Sequence, residues 1–499
     1  MCGIFGGTEG FRDSALYFDL MSHRGPDGRG LVEKAGWTLG HLRLAIVGTD
    51  AAGAQPFEKD GHVLVFNGEI YNHRALRAEF FPAEEFRSSS DTEVLLSMLI
   101  LMGEEALPLL NGMFAFAWLQ PDGHMLLVRD RFGVKPLYYS TTSQRFKFSS
   151  EIKPLLYAEK SRLFDEVSMA EFIRNKSSDF DDRSGYTGVK SLKAGHLIRI
   201  PTGDTITTER WYAPKHSFAH KPTNAILQEA EDLLTDSIRM RCEADVPVAI
   251  SLSGGVDSTT LYVLLKERLG QKLQPFVYRK SEDLTDESHS AVDLAHRYGD
   301  EPIVVVEPVV QISQILEASL AKLEYPIWNI SSIAYTSFYS VVSQHGFKVI
   351  LEGHGADELL GGYPYMLEAA FFDFLRARQI KDALEIFGLV SRASLPGFST
   401  LPRSKQAWRY TKNLIRYACL PSPKPFQETL DFAFERQILP MVLRTFDRLS
   451  MAHSIESRMP FLDYRFVEFA RSLPIASKVS AGGSKTLLRQ ILRKYGANE

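Results

Sequence analysis

Cys2 directly follows Met1, and removal of the initiator methionine leaves a cysteine whose own α-amine is free. With a reference pKa of about 7.7 to 8.0, that amine can take the thiol proton near neutral pH, as an N-terminal nucleophile requires. An incidental second residue is the plain alternative, and what sets it aside is company. Arg43, in Leu42-Arg43-Leu44, can bind a carboxylate through two parallel hydrogen bonds, and Asp91, in Ser90-Asp91-Thr92-Glu93, can bind an α-ammonium. Together they suit an amino-acid substrate. Asn67-Gly68-Glu69 closes an apolar run and offers a side-chain amide and a backbone N–H to the oxyanion of a tetrahedral intermediate. The same Asn-Gly pair also reads as a type I′ hairpin turn.

A second centre is written later in the chain. Ser253-Gly254-Gly255-Val256-Asp257-Ser258 lies between an apolar run and a helical pattern. Two adjacent glycines let the backbone turn its N–H groups toward an anion, and the following helix N-terminus adds a favourable dipole, so the segment reads as a phosphate cradle. It is not the Walker pattern, because Gly-Lys-Ser/Thr is missing. Asp257 would repel phosphate unless a cation such as Mg2+ bridged them. Glu352-Gly353-His354-Gly355-Ala356-Asp357-Glu358 follows another apolar run, and its Asp357 brings a second carboxylate to the same sheet edge, enough for a metal held mainly by substrate phosphates. Arg458, in Glu456-Ser457-Arg458, and Lys485, in Ser484-Lys485-Thr486, are cations of the kind that neutralise a departing pyrophosphate. As isolated basic residues they also fit solvated surface charges.

Two different textures carry these centres. Up to about residue 212, short apolar runs at 63–66, 113–119 and 125–128 are broken by turn residues such as Pro121-Asp122-Gly123, which predicts antiparallel sheets. Residues 213–224 are rich in Pro, Lys and His, and the boundary is drawn there, giving expected domains at 2–212 and 225–499. Beyond it, apolar runs at 246–252, 303–306 and 349–351 alternate with amphipathic segments; Leu261, Leu264, Leu265 and Leu269 are spaced for a helix that Gly270 stops. That alternation predicts a parallel sheet with helices on both faces and ligands at the carboxyl ends of its strands. From residue 368 onward the pattern is largely helical.

The bulk numbers agree with a small-molecule enzyme. A chain of 499 residues, 44% apolar, is too long for one core. Charged residues, 24% of the chain, nearly cancel to a net −4, so no unspecific attraction to nucleic acid or anionic lipid is expected. No apolar run reaches about 18 residues and no signal-peptide layout is present, so a cytoplasmic protein is expected. Three cysteines, Cys2, Cys242 and Cys419, make neither a disulfide framework nor a paired metal motif. The latter two read as ordinary buried thiols.

Across its first part the chain resembles the class II glutamine amidotransferase domain. The resemblance rests on Cys2-Gly3-Ile4, Arg24-Gly25-Pro26-Asp27, Arg43-Leu44-Ala45-Ile46-Val47, Asn67-Gly68-Glu69-Ile70-Tyr71-Asn72, Ser90-Asp91-Thr92-Glu93 and the stretch from Asp130-Arg131-Phe132-Gly133 to Tyr139, all in the family's order. It implies an α+β N-terminal nucleophile hydrolase domain of stacked antiparallel sheets between helices. It further implies that Cys2 is the nucleophile, that Asn67 and Gly68 form the oxyanion hole, and that Arg43, Asn67, Glu69 and Asp91 hold glutamine. From about residue 225 to Lys485 the motifs resemble the synthetase domain of asparagine synthetases, in the ATP pyrophosphatase group. That implies an α/β parallel-sheet domain in which ATP, a co-substrate used with Mg2+, adenylates a carboxylate that ammonia then attacks. On this resemblance ATP is met by Leu252, Ser253, Gly254, Gly255, Asp257, Ser258, Val277 and Gly353, the acceptor by Glu352, His354 and Asp357, and the metal by Asp257 and Asp357. Lys485 and Arg458 serve catalysis. Glutamine, ATP and a carboxylate acceptor are the implied partners, and a homodimer is common among such relatives. Ammonia released into water near pH 7 is mostly protonated and unreactive, so an enclosed passage between the two sites is expected.

Of three departures from the family pattern, two bear on the acceptor and one, at Phe276-Val277-Tyr278-Arg279, on the shape of the nucleoside pocket. Asparagine synthetases usually carry Ser-Gly-Glu-Gly where this chain has Glu352-Gly353-His354-Gly355, so an acid has become histidine. Losing an opposite charge at about 4 Å removes on the order of 1 to 4 kcal/mol. Phe276-Val277-Tyr278-Arg279 replaces a stretch where relatives tend to have a small glycine, and the chain ends about a dozen residues after Lys485, where many relatives continue. Aspartate is the first expectation for the acceptor, with a sugar uronic acid or natural-product precursor as the alternative. A glutamine-binding module without synthetase chemistry fits less well, because Asp257, Asp357, Arg458 and Lys485 are all retained. A ring-closing synthetase that uses an internal amine has no need of Cys2.

Overall fold

In a computed structural model of the chain, the described residues are 2–8, 11, 14–142, 145–160, 162–175, 181–202, 205–215, 223–280, 287–306, 320, 322–326, 331–393 and 424–497. The first part holds two six-stranded antiparallel sheets. In one, Gly3–Gly7 lies between Trp37–Arg43 and Arg145–Ser149; in the other, His62–Ile70 pairs with Gly112–Leu119, which pairs with Met125–Arg129. The sheets face each other through Ile4, Leu39, Val65, Ala117, Leu127 and Phe148. Helices Ser14–Leu20 and Ile152–Glu159 pack on the outer side of the first sheet and Asp91–Met102 on that of the second. This is the layered α+β arrangement expected. It follows from strands whose two faces are both apolar, which sheet-on-sheet packing on one side and helices on the other both satisfy.

Asn67-Gly68 is not a turn. The pairing continues through it, with Asn67 opposite Ala115, Gly68 opposite Phe114 and Glu69 opposite Met113. A side chain at Gly68 would stand 2.1 Å from the Met113 carbonyl, so close backbone approach, not reversal, explains the glycine. The Pro121-Asp122-Gly123 turn does form, closed by Gly123 N–H donating to the Gln120 carbonyl at 3.0 Å.

The second part is built on a five-stranded parallel sheet in the order Ile303–Val306, Gln274–Arg279, Val248–Ser251, Val349–Leu351, Glu456–Arg458. Alternation along the strands divides it between two cores. Val248, Ile250 and Leu351 join one with Leu261, Leu264 and Leu265 of helix Val256–Glu267. Ala249, Phe276 and Ile350 join the other with Phe338, Val342 and Phe446. Helix Val256–Glu267 ends before Gly270, whose φ of +60° suits the stop. Beyond residue 368 the described chain is largely helical, as expected, and Glu456–Arg458 adds the edge strand of the parallel sheet: three residues are too few to show a period in sequence, and only the edge of Val349–Leu351 makes them a strand. Leu44, Ile46, Tyr71, Met113, Phe132 and Val134 of the first part belong to the same apolar cluster as the core of the second. No helix among the described residues is long and apolar enough to cross a membrane.

Candidate functional site

Cys2 precedes a strand in the interior of the first sheet, and Asn67, Gly68 and Glu69 lie on a strand of the second, so sheet stacking brings them together. The Cys2 backbone N–H donates to Asn67 Oδ1 at 2.9 Å. Asn67 Nδ2 is buried with no hydrogen-bond partner, a donor left open on the side chain that meets Cys2. Burial pushes the Cys2 thiol up, so the thiolate requires a base at the moment of attack. Cys2, Arg43, Gly68, Glu69 and Asp91 line one pocket. Arg43 is steadied there by donating to the Gly48 and Asp50 carbonyls. Asp91 Oδ2 accepts the Ile70 N–H at 2.8 Å, and burial pushes its carboxyl up. Glu69, pushed well up by burial and by Asp91, lies 3.2 Å from Arg458.

The last contact corrects the role expected of Arg458. Its side chain is 0% exposed and its nitrogens are spoken for: Nε on Glu456 at 2.7 Å, Nη1 on the carbonyls of Arg241 at 2.9 Å and Glu243 at 2.7 Å, Nη2 on Glu69. It stands behind the Cys2 pocket and is not available to a pyrophosphate. Strand alternation is the reason. Glu456 and Arg458 point toward the Cys2 pocket, which Glu456 also lines, while Ser457 points the other way and donates to Glu352 Oε2. One strand of the second part thus has a side chain in each centre.

Sequence reasoning also missed Arg24, although it stood in a singled-out stretch, and Asp447. Arg24 is 0% exposed; its Nε donates to the Cys2 carbonyl at 3.2 Å, and its terminal nitrogens reach Asp447 and Glu151. Only contact across more than 400 residues of chain gives these charges a purpose. The first part is joined to the second elsewhere too, by Lys348 on Asp27 at 2.7 Å, Asn111 on Asp463 at 3.0 Å and Tyr212 on Glu468 at 3.1 Å.

At the second centre the glycine-rich loop is held ready. Ser258 Oγ receives the Ser253 N–H at 3.0 Å and lies 2.9 Å from Ser253 Oγ, and Gly255 caps helix Val256–Glu267. Gly254 takes φ +85° and passes so near Glu287 that a side chain would meet its carbonyl at 2.4 Å. Gly353 lies against the same loop, its added Cβ 3.0 Å from that of Asp257. Leu252 and Val277 are fully buried in the apolar core behind it. Lys485 Nζ sits between Asp257 at 2.6 Å and Asp357 at 2.8 Å, so the two carboxylates bracket one cation position. Burial and Asp357 outweigh Lys485 and push the Asp257 carboxyl up to about 6. Lys485 holds a left-handed backbone at φ 56°, ψ 37°, a strain that positions its amine at the loop. Among the described residues no group of three or more His, Cys, Asp or Glu side chains converges as a metal site, so a metal here would depend on substrate oxygens as well.

Glu352 follows strand Val349–Leu351 and is buried, accepting from Tyr339 at 2.9 Å and from Ser457. His354 Nε2 lies 3.7 Å from the same carboxylate, and its ring rests 4.2 Å from that of Phe446. Burial pulls His354 down, against the opposing charges of Glu352 and Asp357. A carboxylate, that of Glu352 two residues earlier, thus stays within 3.7 Å of the ring at position 354. Tyr278, beside Val277, stacks on Tyr335 at 5.3 Å. Cys242 is half-buried with its thiol pushed up to about 12 by burial, and Cys419 lies outside the described residues.

Residues 1–212 match the family model described as a glutamine amidotransferase domain, and residues 229–498 match the model described as asparagine synthase. The chain is 28% identical to asparagine synthetase (glutamine-hydrolyzing) 1 of Bacillus subtilis, over 94% of this chain and 79% of that protein. It is 27% identical to asparagine synthetase B (glutamine-hydrolyzing) of Escherichia coli, over 99% and 79%. It is 26% identical to amidase chyE of Penicillium rubens, over 96% and 82%.

Proposed function

The chain belongs to the asparagine synthase family, and from that membership we propose that it amidates a carboxylate, aspartate in the first instance, with ammonia taken from glutamine in its own N-terminal domain. The observation that carries this reading is the strand Glu456–Arg458, with Glu456 at the Cys2 pocket and Ser457 on Glu352 at the acceptor end. Ammonia made on one side has one strand to pass before it is used on the other. The apolar residues Leu44 and Ile46 lining the Cys2 pocket suit a neutral passenger. The division into domains at 2–212 and 225–499, joined by 213–224, belongs to the same proposal.

In the first half-reaction, the amine freed by loss of Met1 takes the thiol proton, and Cys2 Sγ attacks the glutamine side-chain amide. Asn67 Nδ2 and the Gly68 N–H receive the oxyanion, while Arg43, Glu69 and Asp91 hold the amino-acid end. Ammonia leaves, and water releases glutamate from the thioester. In the second, the Ser253–Ser258 segment cradles ATP phosphates, with Leu252, Val277 and Gly353 shaping the nucleoside side. Asp257 and Asp357 fit a divalent cation, because they already flank one positive charge. Mg2+, when bound, would supply charge neutralisation to the phosphates. Lys485 then turns from its carboxylates to the phosphates, a role in which it stands alone once Arg458 is withdrawn. Glu352, His354 and Asp357 border the acceptor.

Relatives named both asparagine synthetase and amidase, at nearly equal identity, favour keeping a different carboxylate, such as a uronic acid or natural-product precursor, as the second reading. The test is a Cys2→Ala variant supplied with ATP, Mg2+ and an acceptor panel headed by aspartate. Glutamine should give no amide, and ammonium salts should restore amide and AMP together. AMP release without rescue would discard the two-site scheme. A cytoplasmic setting, where thiols stay reduced, is part of the proposal.

A further inference from the structure

The loop that aims Arg43 is held from the other half of the molecule. Residues 44–50, between strand Trp37–Arg43 and the short helical turn Ala51–Gly53, belong to no helix or strand. Yet Leu44, Ile46 and Val47 line the Cys2 pocket, and the Gly48 and Asp50 carbonyls receive the Arg43 guanidinium. Asp245, in the second part, bridges this loop twice. Its backbone N–H donates to the Ile46 carbonyl at 2.9 Å, and its Oδ2 accepts the Gly48 N–H at 2.8 Å. We propose that Asp245 is a positioning residue for glutamine binding: by holding Gly48 it fixes the carbonyl on which Arg43 rests, so that the glutamine site reaches full affinity only with the synthetase half docked. The inference rests on the glutaminase reading above.

Three observations support it. Gly48 joins the two halves directly, its N–H on Asp245 and its carbonyl on Arg43. It also has little room to shift, since its φ is +59° and an added Cβ would stand 2.9 Å from the Ser90 nitrogen. The brace itself stands on fixed ground. Asp245 lies between helix Thr223–Arg241 and strand Val248–Ser251, and Arg458 Nη1 grips the carbonyls of Arg241 and Glu243 just before it, at 2.9 and 2.7 Å. The first part supplies little in its place. Asp27 takes the Ala45 N–H at 2.8 Å, and from Ile46 to Asp50 the backbone hydrogen bonds among the described residues go to Asp245 and to Arg43 itself. Arg43 is a long, half-buried side chain, and ordering it only when glutamine arrives would subtract from affinity, so a loop fixed beforehand shows in binding more than in chemistry.

The experiment uses the full chain and follows two readouts, glutamine hydrolysis and alkylation of Cys2 by iodoacetamide, a reagent with no amino-acid end for Arg43 to hold. Asp245→Ala should raise KM for glutamine about tenfold with kcat within about threefold. Without glutamine, its Cys2 should be alkylated at the wild-type rate, while about tenfold more glutamine should be needed to protect it. Asp245→Asn, whose side-chain oxygen can still accept the Gly48 N–H, should stay within about threefold of the wild-type KM. Tyr212→Phe, which removes an interface bond to Glu468 at 3.1 Å away from the loop, should keep the wild-type KM and protection. Unchanged KM and protection in Asp245→Ala overturn the inference. So does a matching fall in kcat and in the alkylation rate, which would mean that Asp245 supports the nucleophile's surroundings and not the aim of Arg43, and so does a loss in Asp245→Asn as large as in Asp245→Ala. A wild-type protein that neither hydrolyses glutamine nor is protected by it overturns the glutaminase reading itself, a different result from these.

Discussion

Arg24 grips Asp447 with both terminal nitrogens, at 2.9 and 3.3 Å, and neither side chain has more than 3% of its surface exposed. The same guanidinium donates to the Cys2 carbonyl at 3.2 Å. A charge from the second half thus reaches Cys2 of the first through a single guanidinium. Asp447 is flanked on its helix by Phe446, against the His354 ring, and by Arg448, 2.9 Å from Glu151. The interface is part of both centres and not merely a seam between them.

Removing Asp447 strands a buried cation. Asp447→Ala is expected to lower unfolding stability by about 3 to 5 kcal/mol, the usual effect of leaving one partner of a buried pair behind. Glu151, at 3.2 Å, still answers part of the charge, which places the expected loss toward the lower end. Denaturant midpoints of the variant and wild type check this, and a change under about 1 kcal/mol would contradict it.

Lys485 neutralises two carboxylates that repel each other. Lys485→Met should push the Asp257 carboxyl further up, since the amine is the influence that lowers it. With that cation gone from the phosphate site, amide formation should fall by about 100-fold or more. Ammonium-dependent AMP release measures the effect, with glutamine hydrolysis followed alongside to show that the protein is folded. Near-normal AMP release would remove Lys485 from the chemistry.

Lys478 carries a pH dependence unrelated to either site. It is fully buried and donates to Gln427 Oε1 at 2.7 Å; burial, opposed by Asp431 and aided by Arg471, pulls its ammonium down to about 7. The unfolded chain keeps a value near 10.4, so between about pH 7 and 10 the unfolded state binds the extra proton and stability rises with pH. That stability is lost again as pH falls toward 7 and does not change further below it. From pH 7 to 9 the wild type should gain about 2 to 3 kcal/mol more than Lys478→Met, as read from denaturant midpoints at each pH. Parallel curves for the two proteins would show that Lys478 stays charged.

Much of both centres was legible in residue order because each depends on local chemistry. Cys2 beside a free amine, the two glycines before Asp257, and Lys485 in its short motif state their business within a few neighbours. Asn67-Gly68 was misleading because its dipeptide is the common signal for a hairpin turn, and only the continued pairing with Ala115 and Phe114 shows that the strand runs on. His354 suggested a lost acid, yet the carboxylate of Glu352 lies 3.7 Å from its ring, because a tight loop lets residues two apart converge.

The amino-acid sequence by itself determined the two chemistries, their order along the chain, and the change from antiparallel to parallel sheet, since motif spacing and apolar periodicity are properties of neighbouring residues. Which half each charge serves was decided only in three dimensions. Arg458 reads as a phosphate ligand, and becomes the clamp of Glu456 and Glu69 because a three-residue strand at the sheet edge turns alternate side chains to opposite sides. A buried charge has to be paired, and its partner need not be anywhere near it in sequence.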